Sequence, residues 1–338
     1  MMETRILKKQ ALGTLLERIR GGGFRVLAPS KNDGHVVFKE VATLADVDCE
    51  AIQTTLSPKA AVFPRCEELV NYTFTAKNVR IEDHEFQATP TVLFGVRPCD
   101  ARSLAILNSV FAWDVKDVFF QKRLEATTVI GMSCTKADDY CFCTSVGGSP
   151  GDTSGSDLSL TLLGCGDYLA EIVTEKGRRI VSLAEDLFGP AGKVNKEELL
   201  PKIPAKFDVK ELTGKLPDMF TRNEIWAEQA MRCIGCSTCA FVCPCCACFD
   251  IQDEASRQGG TRLRCWDSCG HGQFTLHASG HNPRHSQGDR WRQRIMHKFS
   301  YFPDRLGYIA CVGCGRCSRS CPADMNLLEH LESLVEAK

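Results

Sequence analysis

Leu12, Leu15, Leu16 and Ile19 recur at helical spacing, so an amphipathic helix is expected near the start of the chain, stopping at Gly21-Gly22-Gly23. Short strands are predicted over 24–28 and 35–41, separated by the turn-forming Lys31-Asn32-Asp33-Gly34. A clearer unit follows. Residues 91–96 form an apolar run, Asp100 is placed to cap a helix reaching about Phe111, and 127–132 form a second apolar run. Strand, helix and strand at this length predict a βαβ crossover with parallel strands. Residues 147–156 are rich in Gly and Ser and read as a loop, and 158–163 with 169–174 read as a hairpin. Lys and Pro crowd 195–220, where a boundary is expected between an α/β domain over 1–215 and a second domain over 216–338. Thr221-Arg222-Asn223-Glu224 fits a capping box for a helix leading to Cys233.

With 338 residues the length suggests about two domains, and 43% hydrophobic residues can supply a sizeable core. No apolar run approaches the ~20 residues of a membrane span. The first residues are charged throughout and unlike a secretory signal, which points to the cytoplasm and away from disulfides. A net charge of −1 argues against nucleic-acid binding and leaves proteins as the expected partners. Twenty cysteines exceed what packing in a reducing compartment explains.

Those cysteines carry the chemistry. Cys233, Cys236, Cys239 and Cys243-Pro244 stand at C-x2-C-x2-C-x3-C-P spacing, and Cys311, Cys314, Cys317 and Cys321-Pro322 repeat it. A [4Fe–4S] cubane needs four converging thiolates. Two-residue gaps let one tight loop supply three, and in two-cluster ferredoxins the fourth cysteine of each run serves the other cluster. The spacing therefore predicts Cys233, Cys236, Cys239 and Cys321 on one cubane and Cys243, Cys311, Cys314 and Cys317 on a second. A zinc site is the rival, but zinc takes pairs of C-x2-C rather than two proline-closed quartets. The 67 residues between Cys243 and Cys311 are too many for a compact ferredoxin loop, so 249–305 are read as an insertion in a mainly helical, ferredoxin-like domain.

Cys99 and Cys134 fall at the C-terminal ends of the two predicted parallel strands, and Cys141 and Cys143 follow closely. Ligands of α/β folds gather at that edge. The four form a possible third [4Fe–4S] site, with buried free thiols as the alternative. Cys245, Cys246, Cys248, Cys265 and Cys269 surround the first quartet and the insertion, as a further metal site or as thiols packed near a cluster. Cys49, Cys66 and Cys165 are isolated and read as structural. Arg284, Arg290, Arg292, Arg294, His297 and Lys298, with Trp291 and Phe299 between them, could raise a cluster's potential or dock an acidic surface or a flavin phosphate. A solvated helix is the alternative. His271, His277 and His285 are expected at the surface.

The stretches Cys239-Ala-Phe-Val-Cys243-Pro, Cys246-Ala-Cys248-Phe-Asp-Ile-Gln-Asp, Trp266-Asp-Ser-Cys269, His281-Asn-Pro-Arg284 and His297-Lys-Phe-Ser-Tyr-Phe-Pro303 together resemble one family. So do Gly95-Val-Arg-Pro-Cys99-Asp100 and Cys141-Phe-Cys143. It is the iron–sulfur β subunit shared by cytoplasmic [NiFe] sulfhydrogenases, the A subunit of anaerobic sulfite reductase and flavin oxidoreductases linked to heterodisulfide reductase. Cys245 stands where the family has a residue such as Thr, and Ala247 where His is usual. The resemblance implies an electron-transfer subunit of an anaerobic oxidoreductase complex, without its own substrate-converting site. It would relay electrons between a subunit that carries flavin and handles NAD(P)H and a hydrogenase, sulfite reductase or heterodisulfide reductase partner. The alternatives are an enzyme reducing sulfite or a disulfide at a cluster with an open iron, and a thiol- or cluster-based redox sensor.

Overall fold

The protein is described by a computed structural model covering residues 3–83 and 86–337. Twelve strands are described there: β1 (Glu3–Leu7), β2 (Arg25–Asn32), β3 (His35–Glu40), β4 (Cys66–Phe74), β5 (Val79–Asp83), β6 (Thr91–Val96), β7 (Thr127–Met132), β8 (Leu158–Leu162), β9 (Tyr168–Ile172), β10 (Phe188–Pro190), β11 (Phe249–Ala255) and β12 (Gly259–Trp266). Eight form one sheet, in the order β10-β1-β9-β8-β7-β6-β2-β3. Its centre, β2-β6-β7-β8, is parallel and its flanks are antiparallel. Every residue of β6 and β7 is buried, as strands covered on both faces require.

Helices supply the cover. Leu12, Leu15, Leu16 and Ile19 of α1 (Leu12–Gly21) pack on one face, with Ile180 and Val181 of α4 (Glu175–Ser182). Leu104, Leu107 and Phe111 of α2 (Pro98–Phe111), with Phe120 of α3 (Val118–Ala126), pack on the other. The expected N-terminal helix, βαβ unit and 158–174 hairpin are all present. Asp100 is not the cap of α2. Pro98 opens the helix behind an extended Arg97, a position that suits proline because its missing N–H has no helical partner, and the Asp100 carboxylate is bonded elsewhere.

The remaining strands make a second sheet, β11-β12-β4-β5, antiparallel throughout. The first part of the segment expected as an insertion is thus a hairpin laid against β4 of the N-terminal half. Arg264 on β12 ties Glu67 on β4 to Asp117 at the start of α3. Cys66 and Cys265 face each other across these strands and are joined as a disulfide, so Cys66 is structural, as expected, but not isolated. The partner lies 199 residues away, beyond any local pattern.

Seven helices follow: α5 (Val209–Met219), α6 (Asn223–Gln229), α7 (Thr238–Phe241), α8 (Gln287–Met296), α9 (Phe302–Leu306), α10 (Arg316–Arg319) and α11 (Leu327–Glu336). Leu212 and Leu216 of α5, Trp226 of α6, Ile295 of α8 and Leu331 of α11 share a core with Phe142 from the loop after β7. The capping box at Thr221 does not form, because α6 starts two residues later with Arg222 before it and no side-chain cap. A π-helical turn, His297–Tyr301, links α8 to α9 and turns Lys298 and Phe299 inward. Among the described residues no helix is long and apolar enough to cross a membrane.

Candidate iron–sulfur centres

The two cysteine loops share a backbone. Gly235 and Gly313, each one residue before the second cysteine, have φ of +70° and +63°, and Ser237 and Gly315 that follow have φ of +62° and +70°. Each loop then enters a one-turn helix, α7 or α10, bearing the third cysteine. A Cβ on Gly313 would stand 2.5 Å from the Cys143 amide nitrogen, and one on Gly315 2.5 Å from the Tyr140 carbonyl oxygen. The second loop is therefore pressed against the chain that carries Cys141 and Cys143, and Phe142 donates its N–H to the Gly313 carbonyl at 2.9 Å.

Cys233, Cys236, Cys239 and Cys321 line one hollow, so the expected first quartet is brought together. Cys317 reaches the same hollow. Cys243, Cys311, Cys314 and Cys317 are linked through their mutual charge. Burial pushes the Cys311 thiol up to about 11 and that of Cys317 up to about 12. Hydrogen bonds from Cys245 and then Cys246 hold Cys243 well below the usual thiol range. Exposure differs between the loops: Cys236 is exposed, with Ile234 and Met231 69% and 78% exposed beside it, whereas Cys243, Cys311 and Cys314 are buried.

Two buried cations face these thiols. Lys298, 4% exposed, donates to Cys243 Sγ at 3.3 Å and to the Ala310 carbonyl at 2.7 Å. Arg294, 5% exposed, donates to the Cys239 carbonyl at 2.7 Å and lies 3.6 Å from Cys246 Sγ, while its Nε has no partner. Among the described residues neither meets a carboxylate. Burial works against both charges, yet the surrounding cysteines hold both pKa values well above their ordinary ones. Neutral thiols could not compensate them; a thiolate-bound, anionic cluster would. The donor set thus fits a cubane. Among the described residues no three His, Cys, Asp or Glu side chains stand in position to hold a single metal ion. Arg290 and Arg292, by contrast, bond within their own surroundings.

The four N-terminal thiols lie within electrostatic reach of one another. Cys134 acts on Cys99, and Cys134 and Cys141 both act on Cys143. Burial lifts Cys134 to about 11 and Cys143 to about 12. Gln53 Nε2 donates to Cys99 Sγ at 3.1 Å, and Arg319 Nη2 lies 3.3 Å from Cys141 Sγ while its guanidinium grips Asp138. Cys99 in turn feels Cys314 of the second quartet.

Sequence reasoning missed Arg316, Arg319, Gln53 and Gln287, which donates to Cys233 Sγ at 3.0 Å. Arginines inside and beside a cysteine quartet were the available signal. Cys165 is exposed in the β8–β9 turn, and Cys49 is partly buried apart from the quartets. His271 Nδ1 donates to Asp267 Oδ1 at 2.8 Å.

A family model described as a 4Fe-4S dicluster domain matches residues 232–325. The chain is 30% identical over 321 residues to sulfhydrogenase 2 subunit beta of Pyrococcus furiosus, covering 93% of this chain and 92% of that one. It is 26% identical over 187 residues to F420-dependent formate dehydrogenase subunit beta of Methanocaldococcus jannaschii, covering 49% of this chain and 40% of that one. No solved structure matches significantly. Iron–sulfur binding of the [4Fe–4S] type and electron transfer within an oxidoreductase complex follow from these matches.

Proposed function

Because the chain belongs to the family of the sulfhydrogenase iron–sulfur beta subunit, we propose that it holds three [4Fe–4S] clusters in one line and relays electrons between two partner subunits. Cys233, Cys236, Cys239 and Cys321 would hold the first, Cys243, Cys311, Cys314 and Cys317 the second, and Cys99, Cys134, Cys141 and Cys143 the third. Each cluster, when bound, takes up and releases one electron at a time.

One observation supports this reading: cysteines of the expected second quartet reach toward both of the others. Cys317 reaches the hollow of the first quartet, and Cys314 acts on Cys99 of the third. Buried Lys298 and Arg294 favour the reduced state at the middle and first positions by opposing added negative charge. Arg319, whose charge is paired with Asp138, directs an N–H at Cys141 of the third. Exposed Cys236, with Met231 and Ile234 around it, gives the line an end open to a partner surface.

The partners of this reading are a flavin subunit that handles NAD(P)H at one end and, at the other, a hydrogenase, sulfite reductase or heterodisulfide reductase subunit. The test is reduction of the purified chain by the flavin subunit and NAD(P)H, followed by electron paramagnetic resonance. Cubane signals growing in before any terminal acceptor is added support the relay. Clusters that stay oxidised while the assembled complex turns over would rule it out.

A further inference from the structure

Gln287 and Gln53 serve different quartets and are held in the same way. Gln287, the first residue of α8, donates from Nε2 to Cys233 Sγ at 3.0 Å, while its Oε1 accepts from Arg290 Nη2 at 2.7 Å and Nε at 3.2 Å. Gln53 donates from Nε2 to Cys99 Sγ at 3.1 Å, while its Oε1 accepts from Arg316 Nη2. An arginine, a glutamine and a cysteine thus stand in series at the first quartet and again at the third. At the second quartet Cys243 instead meets buried Lys298 directly.

The arginines fix which way the amides point. A guanidinium carries donors only, so the amide atom that faces it is the oxygen, and the NH2 is left turned toward the sulfur. Both arginines are anchored elsewhere. Arg290 donates to the Arg284 and His285 carbonyls, each at 2.9 Å, and Arg316 is 1% exposed between Asp100 and Thr54. The backbones under the glutamines are held as well. Ser286 caps α8, and a Cβ on Gly288 would stand 3.2 Å from the Ala227 nitrogen of α6. Arg97 Nη2 donates to the Ala51 carbonyl, two residues before Gln53, at 2.6 Å. A Cβ on Gly235 would lie 3.3 Å from Gln287 Oε1, so the glycine lets the amide come close to the cysteine loop.

An N–H aimed at a ligand thiolate interacts more strongly as the centre becomes more negative, so it favours the reduced state. Unlike Lys298, an amide does this without adding net charge. We propose that the Gln287 and Gln53 amides raise the potentials of the first and third clusters through these N–H···S bonds, with Arg290 and Arg316 as the positioning residues that aim them. The inference rests on the relay reading for the clusters themselves.

The test is redox titration of the full chain, purified without oxygen and followed by electron paramagnetic resonance, with iron content measured for each protein. Gln287→Leu and Gln53→Leu should each move one couple to a more negative potential, a different couple in each, with iron equal to wild type. Arg290→Lys keeps the charge but not the two-pronged grip on the amide oxygen. It should move the same couple as Gln287→Leu in the same direction, and add nothing when the two are combined. Unmoved potentials in both leucine variants at full iron would overturn the inference. So would additive shifts in the Arg290→Lys/Gln287→Leu double variant, because Arg290 would then act by itself. Loss of iron in the leucine variants would overturn it as well, by making the glutamines props of the clusters. A failure of the relay reading would appear separately, as missing cubane spectra in the wild type before any variant is compared.

Discussion

Arg316 grips Asp100 with both ends of its guanidinium, Nη1 to Oδ1 at 2.5 Å and Nη2 to Oδ2 at 2.6 Å, and both side chains are 1% exposed. Asp100 follows Cys99 and Arg316 precedes Cys317, so the pair ties the start of α2, beside Cys99, to the loop that bears Cys317. Thr54 completes the cage through its carbonyl and hydroxyl, each 2.8 Å from the guanidinium. A bidentate buried pair fixes direction as well as distance.

Asp100→Ala should be strongly destabilising, because it strands the Arg316 charge in the interior. Breaking one side of a buried pair costs about 3–5 kcal/mol. Denaturant unfolding should show a loss of that order, and the double variant Asp100→Ala/Arg316→Met should recover most of it. A single variant as stable as wild type would mean the pair carries no net stability.

Lys298→Met should lower a cluster potential. A unit charge about 5 Å away at an effective dielectric of about 20 is worth about 3 kcal/mol, on the order of 100 mV for one electron. Redox titration followed by electron paramagnetic resonance should show one couple moving negative by that order with iron content unchanged. An unmoved set of potentials would remove Lys298 from the tuning of Cys243.

Gly313→Ala should damage two centres together. The backbone there has φ +63°, which costs a residue with a Cβ about 1–2 kcal/mol, and the added carbon meets the Cys143 amide. The melting temperature should fall, and iron should be lost from both the second and third centres. Loss confined to the second would show that the two loops do not support each other.

Iron loading should rise with pH. Burial raises the thiols of Cys134 and Cys311 to about 11 and those of Cys143 and Cys317 to about 12, so each is protonated near neutrality and must release a proton to bind metal. Lower pH therefore opposes binding. Retention of iron against a chelator should be weaker at about pH 6 than at about pH 8, and equal retention would contradict this linkage.

The quartets were legible because ligand spacing within a loop is local, and the βαβ unit because buried parallel strands are continuous apolar runs. The four N-terminal thiols could be grouped because parallel strands end on one edge. Asp100 misled because an acid near a helix start resembles a cap, whereas its partner Arg316 stands 216 residues on. The Cys66–Cys265 bridge and the β4–β12 pairing are equally non-local. Lys298 and Arg294 could not be told from a solvated helix face until the π-turn and the thiols around them were in view.

The most direct test of three centres in one chain is the iron and acid-labile sulfide content of anaerobically purified protein, beside a Cys99→Ala/Cys134→Ala variant. With four irons per cubane, the wild type should hold about twelve irons and the variant about eight. About eight in both would leave the N-terminal thiols without a cluster and end the relay at the second centre.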